Sequence, residues 1–516
     1  MPKSRGKSIF ILRKSIVVFL LVLFPCLIFI YRLQFNPPGF FIDESIYGFE
    51  AYTILKTGGF SSSGEFLPRL FDPGHHGLYT YLVAPFIGLF GMNEVSVRLA
   101  SVFSSISLLV VLYFLMRNRV FEWSVLLTAL WWPLTSWVFL LSRNGMELMT
   151  YALITTLVLW TLIKMNDSKG KSNLYILWFD ILTVFLFFIY PAGMIMAPGY
   201  WMLALVVMAR KRVPIQCILK LILAPAIILL LSLPYIQDHS IFYRSHELTS
   251  GCGVGVFTCL INNVASHFDF RSYFANTYLP PDFPVSSHSI IGTSLIPRPL
   301  AFFLLAGVLV CLYKLIKRDS FSALLLAGFV LGIIPATLTI RGFDSYRSVA
   351  LLPILFMIIM LGFDACIRLI RGLPSVWRVF SLVIFLAGTV YFGCQEVKYL
   401  FGYEDQIRAA VHWEYGYRLI YNYFLDHYSQ YDEFVVTDTI AYEPDLYIRF
   451  YDPDSLHTKI RTGSMSDMDG NSKALFAARR WEVDLSRFTV YNTIYYPNGH
   501  LAAFYIGVPV PPEYEK

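Results

Sequence analysis

The sequence predicts an α-helical polytopic membrane protein of about eleven transmembrane helices, followed by a small α/β domain. Three observations predict it. Only 15% of the 516 residues are charged and 56% are hydrophobic, against about 25% charge in a soluble chain. Apolar runs recur at the length of about 20 residues that crosses a bilayer. Lysines and arginines gather in short clusters, mostly separated by two such runs, as the positive-inside rule requires. The net charge of +6 is scattered through these clusters, so it does not make a nucleic-acid patch.

The first run, in "MPKSRGKSIFILRKSIVVFLLVLFPCLIFIYRLQF", is basic and then apolar. It is long for the core of a signal peptide and no small-residue cleavage site follows. It is therefore expected to stay as the first span, 15–34, with its N-terminus in the cytoplasm. The later spans are expected at 95–116, 122–141, 146–164, 174–190, 192–209, 214–234, 298–315, 320–340, 347–367 and 376–394. Basic clusters punctuate them at Arg117/Arg119, Lys164/Lys169/Lys171, Arg210/Lys211/Arg212, Lys314/Lys317/Arg318 and Arg368/Arg371/Arg378. The segment "LYTYLVAPFIGLFG", 78–91, is too short to cross and is expected as a re-entrant or interfacial helix.

An odd number of spans places the C-terminus outside. Residues 1–394 then form one transmembrane domain with two outer loops, 35–94 and 235–297, and 395–516 form an extracytoplasmic domain. In that domain "EDQIRAAVHWEYGYRLIYNYFLDH" has helical periodicity, while "DEFVVTDT" and "SRFTVYNTIYY" have the pattern of strands. It carries no glycine-rich phosphate loop and no metal-ligand spacing. Cys252 and Cys259 share the second outer loop, where a disulfide can form. Cys26, Cys217, Cys311, Cys366 and Cys394 fall in or beside spans, where thiols act as small apolar residues.

With this topology, a set of charged residues falls at one level near the outer face. Asp43 and Glu44 follow span 1, Arg98 opens span 2, and Arg143 and Glu147 lie between spans 3 and 4. Arg341, Asp344 and Arg347 lie between spans 9 and 10. Charges at such depth are costly unless paired, hydrated or functional, so the set predicts a water-filled cavity open to the outside. Each member also has a plainer reading. Arg98 can snorkel to headgroups, and Arg143 with Glu147 can be an i,i+4 helix pair. Asp344 can balance its two arginines, and Asp43 and Glu44 can be acids favoured at a helix N-terminus.

The stretch "FFIDESIYGFEAYTILKTGG…EFLPRLFD…HHGLYTYLVAPFIGLFGMNEVSVRLAS" resembles the first outer loop of the GT-C membrane glycosyltransferases. The branch it is most similar to is that of the bacterial protein-mannosyltransferase-like enzymes, akin to the aminoarabinose and rhizobial galacturonosyl transferases. "LSRNGMEL", "YPAG" and "NTYLPPDF" resemble later segments of the same family. The resemblance implies an inverting transfer of a sugar from a polyprenyl-phosphate carrier to an acceptor hydroxyl on the outer side, in a cell inner (plasma) membrane. Asp43 matches the family's catalytic acid and is expected to act as general base, with Glu44 orienting the acceptor or the loop. A growing phosphate charge calls for guanidinium groups, so Arg98, Arg143, Arg341 and Arg347 are the expected phosphate ligands. Glu147, Tyr190 and His76 are expected in the same pocket.

One motif departs from the pattern. Relatives carry Lys-Pro-Pro-Leu-Tyr where this chain has "HHGLY", so His75 stands at the phosphate-binding lysine and Gly74 at a carboxylate that helps bind metal in some relatives. His75 can still donate to phosphate. A divalent metal stays open and no other cofactor is expected. The expected partners are a polyprenyl-phosphate-sugar donor, a glycan, lipid or protein acceptor and the bilayer. Two other readings remain: an O-antigen ligase or polymerase, and a non-enzymatic lipid-sugar transporter or flippase. The last calls for charges near the membrane midplane and inverted repeats, and the sequence gives no sign of either.

Overall fold

A computed structural model describes residues 16–68, 70–71, 75–168, 172–237, 255–275, 290, 292–340, 342–437, 444–464 and 473–510. It is a multi-pass helical membrane protein with a small C-terminal sheet. Every segment expected to span is helical, but eleven full spans are not what the described residues show. Eight helices are long and apolar enough to cross, or nine if one bent pair counts as a single span. Ile16–Ile30 and Asn173–Ile189 fall short of that length.

The bent pair is Glu122–Trp131 and Ser136–Arg143, which meet at 65°. Pro133 sits in the break and has no N–H for the helix ladder. All eight residues of the second piece are buried, so it runs into the protein interior instead of along lipid. A second departure is Asp180, halfway along Ser172–Ile189 and 2% exposed. Its Oδ1 has no hydrogen-bond partner. Asp180 is thus a buried acid midway along an otherwise largely apolar helix, where no intramembrane charge is expected from the sequence.

Over one end of the spans lies a layer made by the loop 35–94. The helix Ile42–Thr57 has Asp43 and Glu44 in its first turn and ends at Gly58, whose φ of 73° is the left-handed cap that glycine adopts freely. It packs against Leu78–Phe90 on one side and Pro444–Tyr451 of the C-terminal domain on the other. Leu78–Phe90 has 13 residues, about 20 Å of helix, so it cannot cross. Before it, Leu70–Phe71 (β1) and His75–His76 (β2) form a short antiparallel ladder.

The C-terminal sheet has five strands in the order β4-β3-β5-β7-β6. These are β3 (Glu433–Val436), β4 (Ile460–Thr462), β5 (Ala474–Arg479), β6 (Phe488–Tyr495) and β7 (Ala502–Pro509). β3 pairs parallel with β4 and β5, and β7 pairs antiparallel with β5 and β6. The single helix expected over 404–427 is split into Ile407–His412 and Tyr417–Asp426. Between them Glu414 and Gly416 take φ of 55° and 118°, which ends the first helix. Cys259 is disulfide-bonded, and Cys252 lies outside the described residues. The other five cysteines are free thiols.

Candidate active site

Glu44 is the centre of the outer layer and is completely buried. Its Oε1 accepts from Arg98 Nε at 2.9 Å and from the backbone N–H of Gly145 at 2.6 Å. Its Oε2 accepts from Arg98 Nη2 at 3.1 Å and from its own helix's Phe41 N–H at 2.9 Å. One carboxylate thus caps its helix, pairs with the second span and fastens the loop after Arg143.

Arg98 is equally buried. Besides Glu44 it donates from Nη1 to the carbonyls of Leu33 (2.8 Å) and Pro37 (3.3 Å), and from Nη2 to that of Gly39. Arg143, also buried, donates from Nε to Asn36 O (2.8 Å) and from Nη1 to Ile28 O (2.9 Å) and Phe29 O (2.7 Å). Its guanidinium stacks over Phe139 at 4.7 Å. These two of the four candidate phosphate ligands thus hold backbone carbonyls of 28–39. On Arg98 every nitrogen is engaged by protein, whereas on Arg143 Nη2 has no hydrogen-bond partner.

Other residues converge on the same place. Tyr79, buried beneath the 42–57 helix, packs edge-on to Tyr47 and shares a 2.7 Å hydrogen bond with Ser101. Burial first, and then the nearby charges of Glu44 and Glu147, hold its phenol well above the usual range. Glu147 is 6% exposed and caps Leu148–Asp167. Its carbonyl accepts from Tyr151 N at 2.8 Å, and Tyr151 packs on Tyr190 at 5.1 Å. Asn144 Nδ2 donates to Tyr346 Oη at 3.1 Å, so the 344–348 turn reaches the Gly145 side of the knot. Burial raises the Tyr346 phenol, and the Tyr403, Asp344 and Glu44 charges add to it against the Asn144 hydrogen bond.

Arg347 is half-buried on that turn. Its N–H donates to Asp344 Oδ1 at 3.1 Å and its Nη1 lies 3.4 Å from Thr339 Oγ1. The turn is braced from outside by the helix Val256–Phe268. Asn263 Nδ2 donates to Thr337 O (3.0 Å) and Thr339 O (2.7 Å). His267 Nδ1–H donates to Asn263 O at 2.7 Å, and its Nε2 faces Ser348 Oγ at 3.2 Å.

Asp43 precedes Glu44 in the same first turn and is half-buried. At neighbouring helix positions, the two carboxyls do not face one another. His76 is 3% exposed in β2, opposite Leu70. Arg341, Gly74, "NTYLPPDF" and the side chain of His75 lie outside the described residues. Among the described residues no group of three His, Cys, Asp or Glu stands close enough to hold a metal ion.

A cleft of about 190 Å³ opens beside this layer, lined by Arg32, Phe35, Glu94, Glu404, Arg418 and Tyr451 among others. Arg418 Nη1 and Tyr451 Oη both reach Glu94, at 2.9 and 2.7 Å, and Arg32 Nη2 pairs with Glu404 at 3.0 Å. The cleft joins the first outer loop to the C-terminal domain. Sequence reasoning missed Asn144, Gly145, Tyr79 and Tyr346; the only signal was that Asn144 and Gly145 sit inside "SRNGMEL".

No protein-family model and no curated protein matches the chain. Solved structures do. ArnT from Cupriavidus metallidurans bound to undecaprenyl phosphate superposes with a TM-score of 0.53 at 14% identity, over 95% of this chain and 98% of that one. The same enzyme in the apo state gives 0.53 at 12% identity, over 98% of both chains. The Archaeoglobus fulgidus oligosaccharyltransferase gives 0.47 at 13% identity, over 86% of this chain and 64% of its own. The likeness to ArnT is one of fold, and it is the GT-C fold that the first-loop motifs led us to expect.

Proposed function

We propose that the chain is an inverting membrane glycosyltransferase, which moves a sugar from a polyprenyl-phosphate carrier to an acceptor hydroxyl on the extracytoplasmic side. The observation that carries this reading is an end-to-end GT-C fold, shared with an enzyme solved with undecaprenyl phosphate, in which the first-loop helix offers Asp43 while Glu44 is locked beneath it. The basic ends of the spans face the cytoplasm in this reading, and the 42–57 helix and the C-terminal sheet lie outside.

A hydroxyl is a weak nucleophile until its proton is taken. Asp43 accepts that proton as the acceptor oxygen bonds to the anomeric carbon. The bond from that carbon to the phosphate oxygen breaks, and its electron pair leaves with the polyprenyl phosphate. A single displacement inverts the anomeric centre. Arg347, half-buried on the 344–348 turn that reaches the Gly145 side of the knot, is the guanidinium assigned to the leaving phosphate in this proposal. Arg341 and His75 are further phosphate ligands in this proposal.

The test uses full-length protein in proteoliposomes with a panel of polyprenyl-phosphate sugars. Asp43→Asn is expected to fold and bind donor, yet to lose transfer by about 10²–10⁴-fold, the usual contribution of a general base. Transfer at the wild-type rate would remove Asp43 from that role. Arg347→Ala is expected to weaken donor binding by about tenfold or more, the loss of one charge-assisted contact, without changing acceptor affinity. Unchanged donor affinity moves the phosphate site elsewhere.

A further inference from the structure

The helices Leu351–Arg371 and Ser375–Phe401 are joined by the short turn 372–374, a helix length of 21 residues away from the 344–348 turn. They touch only loosely, and the apolar stretch of the second is barely buried by the rest of the protein. Between them and Glu122–Trp131 runs a groove of about 590 Å³. Its walls include Trp123, Leu382 and Leu386, and its floor is an aromatic cluster. There Phe303 stacks on Phe363 at 4.1 Å, and Phe385 stands edge-on to both at 5.9 and 6.2 Å.

One end of this apolar channel is cationic. Arg371 and Arg378 both line it and both are exposed. Arg371 is held over the Phe121 ring at 4.1 Å. Arg378 Nη2 donates to the Arg371 and Leu373 carbonyls, each at 3.1 Å. The neighbouring Arg368 has its carboxylate, Asp364, at 2.8 Å. Arg371 and Arg378 have none within ion-pair distance among the described residues. Two fixed guanidinium groups without a counter-charge thus sit at the mouth of a greasy channel. Phe363 lies eight residues deeper than Arg371 on its helix, about 12 Å at 1.5 Å per residue.

We propose that this groove is a binding site for an acidic diacyl phospholipid, its phosphate on Arg371 and Arg378 and an acyl chain along Leu382, Leu386 and the Phe303–Phe363–Phe385 cluster. Charge selects the occupant, since a zwitterionic headgroup brings its own cation to the arginines and an acidic one does not. The depth matches the site too, because a phosphate at the interface leaves the chain in the hydrocarbon. Only the choice of leaflet, the cytoplasmic one, rests on the topology proposed above. Bound there, the lipid holds the loosely packed 375–401 helix, which leads directly into the C-terminal domain.

The full-length protein is placed in nanodiscs of equimolar phosphatidylglycerol and phosphatidylcholine, released, and the retained lipid weighed by native mass spectrometry. Wild type is expected to keep one phosphatidylglycerol in preference to phosphatidylcholine. At about fivefold per basic residue near a charged lipid surface, Arg371→Ala/Arg378→Ala is expected to cut that preference by about 30-fold. Leu386→Trp, which fills the channel and spares the arginines, is expected to lower retention as well. Lys314→Ala/Lys317→Ala, basic residues at the end of another helix, is expected to change nothing. Equal retention by the double arginine variant and wild type overturns the proposal. So does displacement of the phospholipid by an equal amount of undecaprenyl phosphate, which makes the groove a carrier site. Asp43→Asn must leave retention unchanged, so failure here is separable from failure of the transferase reading.

Discussion

Glu44→Gln is the substitution that separates the two adjacent acids. The side chain keeps its size and loses its charge. Each Glu44 oxygen faces two N–H donors: Oε1 faces Arg98 Nε and Gly145 N, and Oε2 faces Arg98 Nη2 and Phe41 N. A glutamine must turn its NH₂ toward one of those pairs, so in either orientation two hydrogen bonds are lost and donors oppose donors. Arg98 is then left charged, fully buried and without its counter-ion. Breaking a buried pair in this way costs about 3–5 kcal/mol, a large share of the roughly 5–15 kcal/mol by which domains are stable.

The assay is unfolding of the detergent-solubilised full-length protein, wild type against Asp43→Asn, Glu44→Gln, Arg98→Met and the Glu44→Gln/Arg98→Met double variant. Asp43→Asn is expected to unfold with wild type. Each of the other single variants is expected to be destabilised by several kcal/mol, and the double variant by about 2–3 kcal/mol less than their sum, because each single variant leaves one buried charge without its partner and the double variant leaves none. Full recovery is not expected, since the Leu33, Pro37 and Gly39 carbonyls lose their donor. If Glu44→Gln unfolds with wild type yet abolishes transfer, Glu44 is the base and the structural role assigned to it fails.

Two further outcomes follow from the same packing. Gly145→Ala places a Cβ 2.6 Å from Val97 Cγ1 and 3.1 Å from Glu44 Oε1, and it is expected to cost about 1–3 kcal/mol in the same unfolding assay. Burial pushes His267 below its ordinary value of 6.5, against the raising effect of its hydrogen bond to Asn263 O. The native state then binds fewer protons than the unfolded one, so its stabilisation is present above 6.5 and is lost as the pH falls toward the lowered value. Exchange protection of 256–268, taken relative to the intrinsic amide rate at each pH, is expected to fall between about pH 7 and about pH 5 in wild type and not in His267→Gln; identical protection profiles refute the role.

Much of the fold was legible because bilayer-length apolar runs carry a strong signal. The helix 94–116 matches the expected 95–116 closely, and 299–316 matches 298–315. Where the signal failed, the cause is local. Pro133 breaks a run whose composition alone is continuous, and Asp180 is averaged away by its neighbours. The candidate site was legible only as a list of charges. Asp43 and Glu44 look alike in sequence, yet one is half-buried and the other fully buried. Nor does spacing reveal that Asn144 meets Tyr346 across 202 positions.

The same physics explains what Arg98 and Arg143 bind within the protein. After the helix Ile16–Ile30 the chain runs without regular hydrogen bonding before the next helix starts at Ile42. Its carbonyls lie beneath the 42–57 helix, where water is not there to satisfy them, and a buried carbonyl without a donor is costly. Arg98 and Arg143 answer for four of them, those of Leu33, Asn36, Pro37 and Gly39, and for those of Ile28 and Phe29 in the last turn of the preceding helix. A guanidinium suits this task because its donors form a rigid fork and it stays charged when buried. The consequence runs toward function: by fixing the strap that carries the 42–57 helix, the two arginines fix where Asp43 stands. Their removal should therefore damage transfer even though neither needs to touch the donor.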